Sequence, residues 1–308
     1  MKVINLVENT EGNRDCLTEH GLSFYIETTK HKILLDTGAS DLFLENAKTL
    51  GVDLSQVDTV VLSHGHYDHG GGLSHFLKMN STAKVYVQKT AFGEYYSIHE
   101  ETRKEKYIGL NQELKNQEQI VAIEGNWKID DELFLVSRIH DKQPIPKTNQ
   151  RLKKCVDGVM VQDDFLHEQC LVIHQGDKNI LFSGCAHHGI LNIMETYREL
   201  FGSDPDVVIS GFHLMRKHNY SREDVRMIIY TAKELIKYES QFYTCHCTGE
   251  KPYETMKKIM GYQLKYIHSG DCIVIGTEKK HKVAPWSKYV AGVAVLCMTI
   301  SILVRNKK

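Results

Sequence analysis

Three histidines and one aspartate are packed into residues 64–69 (HGHYDH), directly after a short apolar run. If the chain leaves a strand still extended, His64 and His66 point to the same side, because alternate side chains of a strand share one face. Two imidazoles placed in this way can hold one metal ion. Asp68 and His69 lie one step further on, where three consecutive glycines permit a sharp turn, and can bind a second ion. Imidazole and carboxylate ligands suit zinc, and also iron or manganese.

Two metal ions need further ligands, and these must come from the ends of distant strands. Three histidines qualify because each follows an apolar run that leads into glycine or other small residues: His187, His213 and His246. His188 stands next to His187, but neighbouring side chains diverge, so we expect only His187 of this pair to face the metals. Each of these histidines has a purely structural role as its alternative. The predicted ligand sets are His64, His66 and His187 for one ion, and Asp68, His69 and His246 for the other.

Cys245 and Cys247 flank His246 and suggest a second interpretation of that segment. On an extended chain the two thiols would share the face opposite His246, which would allow a separate zinc site built on this pair. No second cysteine pair accompanies it, and this disfavours such a site.

The segments that must position these residues are a mixture of strands and helices, which indicates sheet layers covered by helices, an α/β architecture. Strands are predicted at Val3–Val7, Leu22–Glu27, Lys32–Leu35, Thr59–Leu62, Val159–Val161, Cys170–His174, Ile180–Ser183, Val207–Ser210, Phe242–Thr244 and Ile273–Ile275. Helices are predicted at Asp41–Leu50, Leu191–Phe201, Arg222–Lys237 and Tyr253–Met260.

Residues 89–126 interrupt this alternation. They are polar, charged and rich in Glu, Lys and Gln, with Tyr95, Tyr96 and Tyr107 interspersed. Because hydrophobic periodicity is weak there, we interpret the stretch as an inserted helical cap or a long loop.

The composition is that of a globular chain with nearly balanced charge. Among 308 residues, 38 are basic and 39 are acidic, which gives a net charge of −1. This balance and the absence of long basic runs argue against a nucleic-acid binder. The first residues contain no apolar signal core, so we expect the eight cysteines to be reduced thiols in a cytoplasmic protein.

The histidine motif, together with Leu34–Gly38 (LLDTG) upstream, resembles the metallo-β-lactamase superfamily. Further segments are similar to one branch of it, the branch named for the archaeal dihydropterin–ribofuranosylaminobenzene phosphate synthase. The resemblance covers about residues 1–276 and implies a catalytic domain folded as a four-layer αββα sandwich, with the metals at one edge between the sheets and the insert beside the substrate cleft. The segments that carry the branch resemblance are 20–23 (HGLS), 163–165 (DDF) with Glu168-Gln169, 184–187 (GCAH), 211–214 (GFHL) and 246–249 (HCTG).

The resemblance also implies roles for Cys185 and Asp36. The wider superfamily usually has a metal-bridging aspartate where this chain and the branch have Cys185. That residue is therefore either a thiolate ligand or a small buried residue beside His187. Asp36 is expected to orient a ligating histidine from a neighbouring strand end, as carboxylates around metal sites commonly do.

These ligands predict a hydrolase. A divalent ion lowers the pKa of its bound water to roughly 7 and polarises a phosphoryl or carbonyl oxygen. Asp68 could both bind metal and orient the attacking water. His213 is predicted to contact the substrate or donate a proton to the leaving group, with an additional ligand or a structural histidine as alternatives. We therefore predict a metal-dependent hydrolase of a small phosphoester or related molecule, with two divalent ions, zinc before manganese or iron.

Two other functions remain open. The branch resemblance implies a synthase that joins a pterin diphosphate to an arylamine, with the metals binding the diphosphate leaving group. The sequence contains no pterin-recognition signature that we identify, and one fold hosts many chemistries. The other alternative is a metal-binding protein with little turnover, which the complete ligand set disfavours.

The C-terminal segment changes composition after a predicted linker at 277–288. Residues 289–304 carry no charge, and the 20 residues from Pro285 to Val304 contain only Lys288. Twenty helical residues span about 30 Å, the thickness of a bilayer core, and Trp286 and Tyr289 could anchor one end. The alternatives are a packing helix of the domain and an interfacial helix, because three basic residues after the span disfavour translocation.

The membrane anchor predicts how the protein fractionates. Full-length protein should pellet with membranes and resist extraction by high salt, because burial of the apolar segment does not depend on ionic strength. Removal of residues 283–308 should release a soluble, metal-loaded and active enzyme. Ultracentrifugation and metal analysis measure both. A truncated protein that fails to fold would show that the segment belongs to the core.

Overall fold

The computed structural model describes residues 1–12, 14–99, 101–217 and 219–276. These residues form eighteen β-strands and six α-helices, which are numbered in chain order. The strands are β1 (Lys2–Val7), β2 (Ser23–Glu27), β3 (Lys32–Leu35), β4 (Thr59–Val61), β5 (Lys84–Gln88), β6 (Glu94–Ile98), β7 (Glu105–Tyr107), β8 (Ile120–Ile123), β9 (Trp127–Lys128), β10 (Leu133–Val136), β11 (Leu152–Val156), β12 (Val159–Gln162), β13 (Cys170–Gln175), β14 (Lys178–Ser183), β15 (Val207–Ser210), β16 (Gln241–Thr244), β17 (Leu264–Tyr266) and β18 (Cys272–Val274). The helices are α1 (Leu42–Thr49), α2 (Tyr67–Gly70), α3 (Leu73–Met79), α4 (Ile190–Phe201), α5 (Arg222–Leu235) and α6 (Glu250–Met260).

The predicted linker 277–288 and the predicted membrane helix 289–304 lie outside the described residues. Within the described ranges, no helix is both long enough and apolar enough to cross a membrane. The C-terminal anchor therefore stays a prediction.

Most of the strands belong to two seven-stranded sheets. The first sheet has the order β18-β1-β2-β3-β4-β5-β8, and the second has the order β17-β16-β15-β14-β13-β10-β9. Strands β3, β4, β5 and β8 are parallel, and so are β14, β15, β16 and β17. Parallel strands end at the same edge of their sheet, so the loops that follow them gather there.

Three hydrophobic clusters separate four layers. In β3, Leu34 packs with side chains of α1 and α3, whereas Leu35 packs between the two sheets. In β14, Phe182 packs between the sheets and Leu181 packs with side chains of α4, α5 and α6. Each strand serves two clusters because successive side chains point to opposite faces. The αββα sandwich that the sequence implied is thereby confirmed.

The stretch 89–126 differs from the helical cap or long loop expected there. Its described residues contain β6, β7 and β8, with one 3₁₀ turn at Gln112–Leu114. β8 joins the first sheet, and β6 and β7 pair with β11 and β12 in a small sheet of order β12-β11-β6-β7. These partners are far apart in the sequence, so local periodicity gave no signal for the pairing. The small sheet packs on the histidine loop through Tyr67, Tyr95, Ile108, Leu152 and Phe165.

The predicted strands that lead into the histidine motifs are confirmed to within two residues at each end. Outside the stretch 89–126, strands β5, β9, β10, β11 and β17 were not predicted. Helix α6 begins at Glu250, three residues before its predicted start. Pro252 lies in its first turn, where the missing N–H of proline breaks no helical hydrogen bond.

His31 joins the two sheets at the edge where β3 and β4 begin. Its Nδ1 lies 2.8 Å from Asp58 Oδ1 and its Nε2 lies 2.6 Å from Asp130 Oδ2. Asp58 precedes β4 of the first sheet, and Asp130 precedes β10 of the second. Burial alone would lower the pKa of His31, but hydrogen bonds to both aspartates raise it above its ordinary value.

This bridge predicts a pH-dependent contribution to stability. Because the pKa of His31 is higher in the folded than in the unfolded chain, the contribution is complete below about pH 6.5 and is lost as the pH rises through the folded value. His31→Gln should lower the free energy of unfolding by about 1 kcal/mol at about pH 5.5 and by less at about pH 9. Urea denaturation at the two pH values measures this difference, and an equal loss at both would contradict it.

Candidate metal centre

His64, His66 and His187 surround one point at the edge where β4 and β14 end. Ring centroids are 4.6 Å apart for His64 and His66, 4.8 Å for His64 and His187, and 4.9 Å for His66 and His187. All three residues are buried. The structure thus brings the three rings together. By their ligand atoms, however, His64 and His187 group with Cys185, whereas His66 groups with Asp163 and His167.

In His64 and His187 one ring nitrogen is held by a polar group, and the other is left for a ligand. Ser63 Oγ lies 2.9 Å from His64 Nδ1, and Asn149 Oδ1 lies 3.0 Å from His187 Nδ1. The Nε2 atoms of His64 and His187 are buried without a hydrogen-bond partner. His66 Nε2 is also buried without a hydrogen bond. A lone pair in that position can be satisfied by a metal ion.

The environment keeps these imidazoles neutral, which is the form that binds metal. Burial, assisted by the neighbouring imidazoles, holds the pKa of His64 and of His187 well below the ordinary value. Burial likewise lowers the pKa of His66 to about 4, although Asp163 opposes it.

Asp163 and His167 form a buried pair beside His66. Asp163 Oδ2 lies 3.8 Å from His66 Nε2 and 3.1 Å from His167 Nε2. The backbone N–H of Gly65 donates to His167 Nδ1 at 3.0 Å, so the proton of His167 is on Nε2 and points to Asp163. Asp163 could be recognised from the sequence only as part of the segment 163–165 that resembles the branch. No sequence feature pointed to His167.

Asp68, His69 and His246 form the second predicted set. His69 Nε2 lies 3.2 Å from His246 Nε2, which in turn lies 3.6 Å from Asp68 Oδ2. Asp36 Oδ2 accepts a hydrogen bond from His69 Nδ1 at 2.6 Å, the orienting contact expected for that carboxylate. Asn9 Oδ1 lies 2.8 Å from His246 Nδ1. Both imidazoles therefore direct Nε2 to the same point.

Charge is concentrated on this side of the centre. Burial alone would raise the pKa of Asp68, but its hydrogen bond with His246 and the charges of His69 and His20 hold it well below its ordinary value. Burial alone would lower the pKa of His69, but Asp36 raises it to about 9. A raised pKa means that His69 carries a proton on both ring nitrogens. A cation bound at Nε2 would displace the proton on that atom.

Two buried glutamates fix the loops that carry His187 and His246. Glu168 accepts hydrogen bonds from the backbone N–H groups of His187 at 2.6 Å and His188 at 3.0 Å. Glu8 accepts one from the N–H of His246 at 2.9 Å. The backbone φ of His246 is +48°, a conformation that costs non-glycine residues about 1–3 kcal/mol and persists only where surrounding contacts impose it.

The side chains of His188 and His213 differ in their direction and in their partners. His188 Nδ1 lies 3.1 Å from Asp141 Oδ1 and its Nε2 lies 3.3 Å from the carbonyl oxygen of Phe165, so it is directed away from the other histidines, as expected from its position next to His187. His213 has its ring 4.3 Å from that of His187, and both of its ring nitrogens are buried without a partner.

Cys185 lies between the two histidine sets. Its Sγ is 3.2 Å from His69 Nε2, and it also lies within 4.8 Å of ligand nitrogens of His64 and His187. Cys245 and Cys247 are not brought to one site. Cys245 packs between the sheets, because the positive φ of His246 breaks the extended conformation that would have aligned the two thiols.

Several contacts of the centre could not be found from sequence spacing. Asn149 lies in the 3₁₀ turn Lys147–Arg151, and Asn9 and Glu8 follow β1, where single polar residues form no motif. His20, whose Nε2 lies 3.3 Å from Asp68 Oδ2, was visible only within the matching segment 20–23.

The residues present fit divalent metal ions. The centre offers buried, neutral imidazoles with unpartnered nitrogens, an ionised carboxylate and a thiol, arranged in groups of three with ligand atoms within 4.8 Å of one another. Nitrogen, oxygen and sulfur donors in such groups are typical of transition-metal sites.

Comparison with known proteins agrees with this geometry. The family profile described as the metallo-beta-lactamase superfamily matches residues 18–229. The chain is 29% identical over 293 residues to the 7,8-dihydropterin-6-methyl-4-(beta-D-ribofuranosyl)-aminobenzene-5'-phosphate synthase of Methanocaldococcus jannaschii, covering 89% of this chain and 96% of that protein. It is also 29% identical over 276 residues to an uncharacterized protein of the same organism, covering 88% of this chain and 98% of that protein.

Solved structures show the same fold. A crystal structure named as a metal-dependent hydrolase of the beta-lactamase superfamily aligns with a TM-score of 0.74 at 28% identity, over 90% of this chain and 99% of the other. Zinc-bound PqqB from Methylobacterium extorquens aligns with a TM-score of 0.51 at 11% identity, over 89% of this chain and 100% of the other, a likeness of fold alone.

The geometry predicts that only one of two adjacent histidines is needed for metal binding. His187→Ala should lower the metal content of the purified protein by one equivalent, because it removes a buried unpartnered nitrogen from the centre. His188→Ala should retain the metal. Both changes preserve the backbone N–H groups that donate to Glu168, so the two variants keep the same contacts between this loop and Glu168. Elemental analysis gives the two contents, and equal losses would mean that His188 also ligates.

Proposed function

Because this chain belongs to the metallo-beta-lactamase superfamily, we propose that it is a metal-dependent hydrolase of a small phosphoester or a related small molecule. The proposed centre holds two divalent ions, zinc in the first place and manganese or iron otherwise. His64, His66 and His187 bind one ion in this proposal, and Asp68, His69 and His246 bind the other.

One observation carries the proposal. Asp68 is the acidic residue within the HGHYDH segment, and its Oδ2 lies 3.6 Å from His246 Nε2 and 3.3 Å from His20 Nε2. Its pKa is held low, so the carboxylate is ionised at neutral pH and accepts hydrogen bonds. An ionised carboxylate grouped with imidazole nitrogens that could hold a metal ion supports hydrolysis by activated water.

The residues of the centre have different roles in the proposed reaction. When bound, the two ions would activate water as a nucleophile near neutral pH and polarise a phosphoryl oxygen. Asp68 accepts a hydrogen bond from the attacking water and orients it toward the reacting phosphorus. Asp36 and Asn9 hold His69 and His246 in the tautomers that direct Nε2 inward. The small sheet lies beside the other histidine set, where the ring of Tyr95 is 5.8 Å from that of His66.

A synthase is the second candidate, and the relative of that name supports it. The similarity extends over 96% of the synthase. In this alternative the centre binds a diphosphate leaving group while an arylamine nitrogen attacks the methylene carbon. The 28% identical structure named as a metal-dependent hydrolase favours the first proposal.

Substrate panels distinguish the two functions. Protein loaded with zinc, manganese or iron should hydrolyse at least one of a set of chromogenic phosphodiesters, lactones, thioesters and β-lactams. Asp68→Asn should lower that turnover about 100-fold or more, because it removes the ionised acceptor that orients water. His188→Ala, which lies off the centre, is the matched control and should stay active. Metal-dependent coupling of a pterin diphosphate to an arylamine, without any hydrolysis, would reject the hydrolase.

A further inference from the structure

Cys185, His213 and Cys247 converge beside the two histidine sets. Each comes from a different loop, after β14, β15 and β16 respectively. Ligand atoms of the three side chains lie within 4.8 Å of one another, and all three residues are buried. Two sulfurs and one imidazole nitrogen form a softer donor set than the histidines and Asp68.

The ring of His213 has no partner that accounts for its burial. The residue is 9% exposed, and neither ring nitrogen has a hydrogen bond. Its backbone, by contrast, is fixed on both sides: its N–H donates to Cys247 Sγ at 3.3 Å, and its carbonyl accepts from Thr148 Oγ1 at 2.6 Å. The backbone φ of +50° is held by these contacts. A desolvated imidazole without a partner destabilises the folded chain unless a ligand satisfies it.

Cys247 is held beside this ring by the local backbone. Its thiol lies 3.4 Å from the carbonyl oxygen of Cys185. Gly211 has no side chain where Cys247 Sγ approaches, and a Cβ at that position would lie 2.4 Å from the sulfur. The loops are therefore shaped around the thiol.

We propose that Cys185, His213 and Cys247 form a third metal position, which takes a thiophilic ion such as Zn²⁺. Three protein ligands leave one position of a tetrahedral ion for solvent or for the substrate. The two proposed histidine positions have three ligands each without Cys185, so this thiolate is available to the third. In this proposal His213 is a metal ligand and not the proton donor that the sequence suggested.

Cobalt binding tests the third position directly. Metal-free protein, kept reduced by a phosphine, is titrated with Co²⁺ alone. Sulfur-to-cobalt charge-transfer absorption reports the thiolates, and the end point reports the number of ions. Cys247→Ser and His213→Ala should each bind one equivalent less than the wild type, and Cys247→Ser should also lose charge-transfer intensity. Cys245→Ala, a buried thiol two residues away and outside the cluster, is the matched control and should titrate like the wild type.

Two results would overturn the proposal. One is a Cys247→Ser protein that keeps the wild-type end point and intensity. The other is a loss of charge transfer only in Cys185→Ser, which would make Cys185 a ligand of the histidine sets. If the variants do not fold, X-ray absorption of the wild-type zinc protein decides, because the third position requires one ion with two sulfurs at about 2.3 Å. None of these measurements uses turnover, so failure of the hydrolase proposal leaves them interpretable.

Discussion

The centre depends on imidazole lone pairs that are removed from water and directed at one another. The Nε2 atoms of His64, His66 and His187 and both ring nitrogens of His213 are buried without hydrogen bonds. An unsatisfied buried polar group costs about 1–3 kcal/mol, and several close together add mutual repulsion of their lone pairs. Such a cluster is tolerable in a folded chain when a cation satisfies it, which couples metal binding to stability.

The sandwich supplies the rigidity that this cluster needs. Parallel strands of both sheets end at the same edge, so the loops after β4, β14, β15 and β16 start from fixed positions. Buried carboxylates then set the loops: Asp36 orients His69, Glu168 holds the chain at His187 and Glu8 holds it at His246. These carboxylates act through the backbone and through ring orientation, so the lone pairs stay aligned without water.

The strands that carry the centre and the principal histidines could be predicted from local sequence pattern, whereas the four layers were implied by the family resemblance. Short apolar runs predicted β3, β4, β14 and β15, and the spacing within residues 64–69 predicted four side chains of the centre. What could not be predicted is long-range. The small sheet pairs residues 94–98 with residues 152–156, and Asn149 reaches His187 from a loop without any motif. The position of Cys247 beside Cys185 and His213 also could not be predicted, because no sequence pattern indicates the left-handed backbone of His246.

The charge of the proposed ligand sets is an argument for the proposed anionic substrate. The ligands of the two histidine sets include one carboxylate, Asp68, whereas Asp36 and Glu168 are engaged in positioning and stay outside the ligand sets. Two dications bound by the proposed sets, with a single anionic ligand, would leave three positive charges in a buried space, where electrostatic interactions are stronger than in water. In the proposed third position, the charge of one more dication would be cancelled by the two thiolates of Cys185 and Cys247, so the excess positive charge would be preserved. A phosphoester compensates such an excess better than a neutral amide or lactone does, which is the electrostatic reason to place phosphoesters first among the substrates.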